Sequence, residues 1–204
     1  MAFSDSWNVE TDAISAAREK GNQTGASSPT SSATALLRLL GTAIGASTAV
    51  EVGTGTGVTT VSLLEGLDES GTLTTIDSNA QLHVQLKEVL SQNDVDATRL
   101  RPIAGAASEV LPRLADESYD FVLINELGGA HPGEYIEQAQ RLLRSGGVLA
   151  VSSAAGKYGS AADQTNHSPE AGASREFLAE PQLREAFTAS LLPLGDGLLV
   201  AVKK

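Results

Sequence analysis

Short apolar runs alternate with stretches of helical periodicity along most of the chain. The apolar, β-branched runs predict strands, and the stretches between them carry apolar residues at the three- and four-residue spacing of an amphipathic helix. Strands that alternate with helices are typical of a parallel sheet with helices on both faces. The predicted strands are 47–52, 72–76, 99–104, 119–124 and 148–151, and the predicted helices are 8–20, 29–44, 58–67, 80–90 and 132–144.

The pattern changes in the last quarter of the chain. Residues 154–173 are small and polar, with almost no large apolar side chain, which indicates either a mobile lid or a disordered segment. A short helix is expected to begin within 175–178. Residues 187–193 and 198–202 then predict an antiparallel hairpin, turned at 195–197. The expected fold is an α/β sandwich whose seven-stranded sheet is mostly parallel and ends in this hairpin.

Length and composition limit what such a protein does. A chain of 204 residues is long enough for one domain, and we expect helices in 1–46 to precede a core in 47–204. The 14 Lys and Arg residues against 25 Asp and Glu residues give a net charge of −11, which argues against a nucleic-acid or membrane partner. There is no cysteine for disulfides or zinc ligation. No signal peptide or membrane-spanning run is visible, so we expect a cytoplasmic protein.

Alternating glycines follow the first predicted strand and lead into the next helix. Gly53, Gly55 and Gly57 lack side chains, so a bound ligand can approach the backbone closely at this strand-to-helix turn. The next strand ends at Asp77, whose carboxylate is placed to accept hydrogen bonds from ribose hydroxyls. The alternative is a surface turn followed by an unrelated acid. The order of strand, glycines, helix, strand and acid favours a nucleotide-cofactor loop.

The run Glu51-x-Gly53-x-Gly55-x-Gly57 resembles motif I of class I S-adenosylmethionine-dependent methyltransferases. It differs from the dehydrogenase fingerprint in the spacing of the third glycine. Residues 28–29 and 192–198 extend the resemblance to bacterial O-methyltransferases related to catechol and caffeoyl-CoA methyltransferases, from about residue 25 to the C-terminus. The resemblance implies a Rossmann-like sheet, S-adenosylmethionine as cofactor, a small-molecule acceptor and a homodimer.

The resemblance also implies a set of cofactor-binding residues. The glycine loop is expected to lie against the methionyl part, Asp77 against the ribose, and the turn at 105–107 against the adenine. That turn is equally compatible with a simple helix start in which Ser108 is the cap. The implied cofactor-binding residues are Glu51, Gly53, Thr54, Gly55, Gly57, Thr59, Asp77, Ser78, Gly105, Ala106, Ala107 and Asn125.

The chain departs from its metal-dependent relatives at the ends of two strands. Alignment of strand ends places Asn125 at the first metal-ligand position, Gly128 at the position of the lysine base, and Ser152 and Ser153 at the last two ligand positions. Hard divalent cations prefer anionic oxygen ligands, and these residues supply none. The sequence therefore predicts no metal site.

Three residues near these strand ends are candidates for catalysis. Asn125 is a candidate for orienting a substrate, because its amide cannot take up a proton. Glu126 and His131 are candidate bases, with a solvated surface acid and a helix cap as the respective alternatives. His83 is expected on the polar side of its helix, without a role.

Three functions are compatible with these residues. The first is an S-adenosylmethionine-dependent methyltransferase that acts on an oxygen of a small molecule, without a metal. The second is a protein of the same fold that binds the cofactor or a metabolite with little catalysis, because the metal ligands and the lysine base are replaced. The third, an NAD-linked oxidoreductase, is disfavoured by the glycine spacing.

Overall fold

The computed structural model describes residues 3–127 and 131–204 and contains a seven-stranded sheet with the strand order β3-β2-β1-β4-β5-β7-β6. Strands β1 to β5 are parallel, and β7 is antiparallel to both of its neighbours, so the predicted sheet with its C-terminal hairpin is confirmed. The strands are β1 (Thr48–Val52), β2 (Thr72–Asp77), β3 (Leu100–Ala104), β4 (Tyr119–Ile124), β5 (Leu143–Val151), β6 (Phe187–Leu192) and β7 (Leu198–Lys203).

Helices cover both faces of this sheet and bury two apolar clusters against it. Neighbouring strand residues alternate between the faces: Ala49 and Glu51 of β1 point to one side, and Val50 and Val52 point to the other. The helices are α1 (Phe3–Trp7), α2 (Asp12–Thr24), α3 (Ser31–Ala43), α4 (Val58–Gly66), α5 (Ala80–Gln92), α6 (Ala107–Val110), α7 (Pro132–Leu142), α8 (Pro169–Ala179) and α9 (Pro181–Ala186). None of these described helices combines the length and apolarity needed to cross a membrane.

Several predicted helix boundaries were wrong. The helix predicted at 8–20 is α2, which begins at Asp12 and ends at Thr24, and the unpredicted α1 precedes it. The cap of α3 is Thr30 rather than Ser28, because the Thr30 side chain accepts a hydrogen bond from the Ala33 backbone. Ser108 lies inside α6, whose N-cap is Ala106, so the predicted capping role of Ser108 was wrong.

The region after β4 also differs from its prediction. Strand β5 begins at Leu143, five residues earlier than expected, because an irregularity around Gly146 lets its first residue pair with β4. The segment 154–173, expected to be a lid or disordered, contains a 3₁₀ helix at Lys157–Ala162 and the beginning of α8. Ser168 caps α8, and Pro169 occupies its first turn, where a missing N–H costs nothing.

Backbone hydrogen bonds continue the sheet one residue past the strands at their carboxyl ends. Gly53 donates to Ile76, and Asn125 donates to Val52, both at 2.9 Å. Ser152 donates to Ile124 at 2.9 Å. The first residues of three loops are therefore held as firmly as the sheet itself, and ligands of such sheets bind at this edge.

Candidate active site

The glycine loop leaves β1 in a backbone conformation that favours glycine. Gly53, Gly55 and Gly57 have φ angles of 84°, 51° and 93°. A Cβ atom on Gly57 would lie 2.5 Å from a methyl group of Leu86, whereas one on Gly55 would meet no atom within 4 Å. The loop is therefore packed against α5 at Gly57 and open at Gly55, as a ligand-binding turn requires.

Asp77, at the end of β2, organises this loop. Its Oδ2 atom accepts hydrogen bonds from the backbone N–H groups of Thr54 at 3.0 Å and Gly55 at 3.4 Å. Its Oδ1 atom accepts one from Asn79 at 2.9 Å, which shapes the turn into α5. Oδ2 thus accepts two hydrogen bonds, and Oδ1 retains capacity for one more.

Glu51 is a fully buried acid beneath the loop, with no exposed surface. Its Oε1 atom accepts hydrogen bonds from Thr59 at 2.5 Å and from Asn125 at 3.0 Å. Its Oε2 atom accepts from Thr60 at 2.6 Å and from Thr75 at 2.8 Å. Burial raises the pKa of this carboxyl, and the four hydrogen bonds act in the opposite direction.

The orientation of Asn125 follows from its neighbours. Its Nδ2 group lies 2.8 Å from the Gly53 carbonyl and 2.8 Å from Thr59 Oγ1, in addition to its bond to Glu51. The opposite orientation would place its amide oxygen against a carboxylate and a carbonyl, so the hydrogen bonds assign the amide as described. Its Oδ1 atom is buried and has no hydrogen-bond partner among residues 3–127 and 131–204.

Two cavities adjoin at this edge of the sheet. The first has a volume of about 170 Å³ and lies between the glycine loop, the end of β2 and the start of α6. It brings together many of the predicted cofactor residues, whereas Glu51, Thr54 and Thr59 are buried behind its wall. Its lining residues are Val52, Gly53, Ile76, Asp77, Ser78, Gly105, Ala106, Ala107, Glu126 and Tyr135.

The second cavity is larger, about 450 Å³, and lies beyond the ends of β4 and β5. Glu126 lines both cavities and therefore marks the boundary between them. Ser152, which is 5% exposed, also lines the larger cavity, and its buried hydroxyl has no hydrogen-bond partner in the part of the chain that the structure describes. Other lining residues are Ser27, Asn125, Leu127, Ser153, Gly156, Lys157, Pro169, Glu170, Ala173, Ser174 and Asp196.

His131 lies apart from both cavities. It is the N-cap of α7, and its Nδ1 atom accepts a hydrogen bond from the Gly133 backbone at 3.2 Å. It lines neither the smaller nor the larger cavity. The geometry thus supports the capping alternative for this residue and gives no support to a role as base.

His83 is buried, so its prediction as a solvated residue was wrong. It is 6% exposed, and its Nε2 atom lies 3.1 Å from Thr54 Oγ1. Thr54 in turn lies 2.7 Å from the hydroxyl of Thr75, which donates to Glu51. Since the only hydroxyl proton of Thr75 goes to Glu51, Thr54 donates to Thr75, and His83 donates from Nε2. Burial lowers the pKa of His83, and Asp77 partly offsets this effect.

The sequence does contain a signal for this burial. His83 precedes Leu86 by three residues and Leu90 by seven, which places all three on one face of α5. A polar residue can lie on the apolar face of a helix when its side chain forms a hydrogen bond with another buried group.

Comparison with known proteins identifies the family to which this chain belongs. The family model for O-methyltransferase matches residues 13–204. The chain belongs to the O-methyltransferase family. A Mycolicibacterium smegmatis relative, provisionally named an O-methyltransferase, is 42% identical over 197 residues, which cover 96% of this chain and 93% of the relative.

Solved structures show the same fold as this O-methyltransferase. A Corynebacterium glutamicum protein, 29% identical, superposes with a TM-score of 0.83 over 96% of this chain and 91% of its own. The O-methyltransferase TomG from Streptomyces achromogenes, solved in complex with SAM, is 23% identical. It superposes with a TM-score of 0.81 over 96% of this chain and 91% of its own, which supports the fold.

The strand ends of this O-methyltransferase have few potential metal ligands. Within 3–127 and 131–204, no group of three or more His, Cys, Asp or Glu residues is arranged to hold a metal ion. Asn125 and Ser152, at the aligned ligand positions, carry no charge. Gly128, aligned with the lysine base, lies outside the described residues.

Proposed function

We propose that this protein transfers the methyl group of S-adenosylmethionine to a hydroxyl oxygen of a small molecule, without a divalent metal. The observation that carries the proposal is the pair of adjoining cavities, one beside the glycine loop and one beyond β4 and β5, which meet at Glu126. Family membership and the SAM-bound TomG structure support the choice of cofactor.

The residues of the smaller cavity fit this cofactor. Asp77 offers its remaining lone pair, on Oδ1, to a ribose hydroxyl, and the small side chains at 105–107 leave room for a flat adenine ring. The open backbone at Gly55 allows close approach of the methionyl part. When bound, S-adenosylmethionine supplies an electrophilic methyl group on a positively charged sulfur.

The protein's own contribution is to position the acceptor and to receive a proton. When the acceptor oxygen gains a bond to the methyl carbon, the carbon–sulfur bond breaks, and the hydroxyl proton must leave. Glu126 lines both cavities and is the carboxylate we assign as the base. Asn125 does not take up the proton and instead orients the reactants.

The neutral strand ends support metal independence. A divalent cation at this edge would meet the amide of Asn125 and the hydroxyls of Ser152 and Ser153, and such ligands hold Mg²⁺ poorly. Glu126 alone adds one carboxylate, which would leave the ion mostly hydrated. The positioning that a metal gives in related enzymes must then come from side chains.

A binding measurement tests the cofactor assignment. We expect S-adenosylhomocysteine to bind and NAD not to bind in calorimetric titrations. Replacement Asp77→Ala is expected to weaken S-adenosylhomocysteine binding by about 1–3 kcal/mol, because a charged acceptor is lost from the cavity. Unchanged affinity in this variant would remove Asp77 from the site, and NAD binding would favour the oxidoreductase.

A turnover measurement tests catalysis. Labelled methyl transfer to small hydroxyl compounds is expected to continue in EDTA and to be unchanged by added Mg²⁺. Loss of transfer in EDTA, with rescue by Mg²⁺, would contradict metal independence. Cofactor binding without any transfer would favour the second candidate, a binding protein of this fold.

We also propose that the protein forms a homodimer and lies in the cytoplasm. Sedimentation of the purified protein tests the oligomeric state.

A further inference from the structure

Two neighbouring polar atoms are buried without a hydrogen-bond partner. They are Asn125 Oδ1 and Ser152 Oγ, and among the residues in 3–127 and 131–204 they are the two buried side-chain polar atoms without one. Buried polar atoms are nearly always paired, and an unpaired one costs about 1–3 kcal/mol. Their burial therefore points to a partner that the described part of the chain does not supply.

Both residues line the larger cavity. They lie at the aligned ends of neighbouring strands, since Ile124 pairs with Val151 in the register of β4 and β5, and Ser152 N donates to the Ile124 carbonyl. Residues paired in this way stand about 4.8 Å apart. One small group can therefore contact both side chains.

The two atoms have complementary hydrogen-bonding roles. The amide oxygen of Asn125 is a hydrogen-bond acceptor. The amide nitrogen, which is the donor, is already bound to Glu51, Gly53 and Thr59. The Ser152 hydroxyl is able to donate. A hydroxyl group on a bound molecule needs one acceptor for its proton and offers a lone pair to one donor. The pair matches a single hydroxyl.

We infer that Asn125 Oδ1 and Ser152 Oγ together anchor the reacting hydroxyl of the methyl acceptor, in the place where the metal-dependent relatives hold a cation. The inference rests on the proposed function and specifies its substrate class. A chelated cation selects compounds with two adjacent oxygens, whereas this anchor needs only one. The acceptor is therefore a compound with an isolated hydroxyl, a phenol or an alcohol.

The remaining lining suits the body of such a compound. Leu127, Pro169 and Ala173 give the larger cavity an apolar wall. Ser152 lines this cavity and not the smaller one, which places it on the acceptor side. It also lines a neighbouring cavity of about 110 Å³ beside the turn at 194–198. During methyl transfer the hydroxyl proton leaves its hydrogen bond to Asn125, which takes up no proton, and passes to Glu126 on the boundary.

Phenol and anisole are the probes that test the anchor, because they differ by the methyl group that replaces the hydroxyl proton. Both are titrated by NMR against the full-length protein, with and without S-adenosylhomocysteine. We expect phenol to bind about tenfold more tightly than anisole to the wild type, and Ser152→Ala to reduce this preference to about twofold. Catechol should bind within about threefold of phenol, and added Mg²⁺ should not change that ratio.

Ser190→Ala is the matched control, because Ser190 is exposed on β6, away from the cavities. Ser190→Ala should keep the full preference for phenol over anisole.

The thermal stability of Ser152→Ala gives a second measurement. Removal of an unpaired hydroxyl should leave the melting temperature unchanged or raise it, whereas Ser62→Ala should lower it, because Ser62 Oγ donates to the Thr34 carbonyl at 2.6 Å.

Three results would overturn the inference. They are equal or undetectable binding of phenol and anisole to the wild type, an unchanged preference in Ser152→Ala, and a melting temperature that falls in Ser152→Ala as it does in Ser62→Ala. Failure of the proposed function is distinguishable, because it would appear as absent S-adenosylhomocysteine binding. The preference measured without that ligand would still decide whether the anchor exists.

Discussion

Two buried acids stand at opposite ends of the same sheet, and their partners differ in kind. Asp120, near the start of β4, accepts backbone hydrogen bonds from Ser47 at 2.8 Å and Thr48 at 2.9 Å, and the guanidinium of Arg144 lies 2.6 Å away. Glu51, at the cavity end, is held only by neutral side chains.

This difference in partners indicates that Asp120 stabilises the fold, whereas Glu51 orders the residues of the site. Backbone donors and a cation stabilise the charge of Asp120, and its pKa falls to about 2, although burial acts in the opposite direction. The Glu51 charge is stabilised less, so its pKa is raised. Its donors Thr59 and Asn125 belong to the first turn of α4, directly after the glycine loop, and to the cavity edge, so the cost of burying Glu51 is linked to the order of the site.

The largest expected effect is the loss of stability in Asp120→Ala. Two backbone N–H groups and the Arg144 guanidinium would lose their acceptor, so we expect the free energy of unfolding to fall by about 3 kcal/mol. Asp116→Ala is the control, because this acid is 69% exposed in its ion pair with Arg141 and should contribute less than about 1 kcal/mol. Urea unfolding measures both. If the free energy of unfolding fell no more in Asp120→Ala than in the control, the hydrogen bonds to Asp120 would not stabilise the fold as we infer.

The next effect is a pH dependence of opposite sign for the two acids. The pKa of Asp120 is lowered from 3.8 to about 2, so its contribution is present above pH 3.8 and is lost as the pH falls toward 2. The advantage of wild type over Asp120→Asn should shrink by about 2 kcal/mol over that window.

The raised pKa of Glu51 gives a pH dependence of stability with the opposite sign, because the folded protein then loses stability as the pH rises. Glu51→Gln should gain stability relative to wild type as the pH rises above 4.5. Parallel urea curves at several pH values would show whether the signs differ.

Glu51→Gln should affect binding more than folding. The substitution removes a buried charge but turns an N–H₂ group toward hydroxyl donors, so Thr59 and Asn125 lose part of their anchorage. We expect the affinity for S-adenosylhomocysteine to fall about tenfold, with a change of less than about 1 kcal/mol in the free energy of unfolding. Calorimetry and urea unfolding separate the two quantities. A variant that unfolds easily but binds normally would make Glu51 a structural acid like Asp120.

Local features of the chain were predictable from sequence. The glycine spacing and the acid at Asp77 lie within 25 residues of each other, and glycine is required where the backbone turns at positive φ. The alternation of strands and helices was sufficient to predict the sheet with its C-terminal hairpin, because burial on both faces leaves a clear apolar run in each strand.

Contacts that depend on register were not predictable. Thr75 reaches Glu51 because these two residues pair across β1 and β2, and Asn125 reaches Glu51 from β4 on the other side. Composition was also misleading in 154–173, where small polar residues suggested a loop. Ser168 and Pro169 provide a good helix start there, and the large buried apolar side chain of α8, Phe177, lies beyond the segment.

The smallest effect concerns His83, whose Nε2–H group begins the chain of hydrogen bonds that ends at Glu51. Two substitutions separate its roles. His83→Gln keeps a donor near the position of Nε2 but does not titrate, and His83→Leu removes both properties. Near pH 7.5 we expect the Gln variant to match wild type and the Leu variant to lose about 1 kcal/mol of stability.

Acidification should make the wild type less stable than His83→Gln. The pKa of His83 is lowered from 6.5 by burial, with Lys87 acting in the same direction and Asp77 against it. The unfolded chain therefore takes up a proton at a higher pH than the folded protein, and the wild type loses stability as the pH falls below 6.5. Urea unfolding at pH 7.5 and 5.5 measures the change. His167→Gln is the control, because His167 is exposed. If wild type and His83→Gln kept the same difference at both pH values, His83 would not titrate between them, and its hydrogen bond to Thr54 would be its whole contribution.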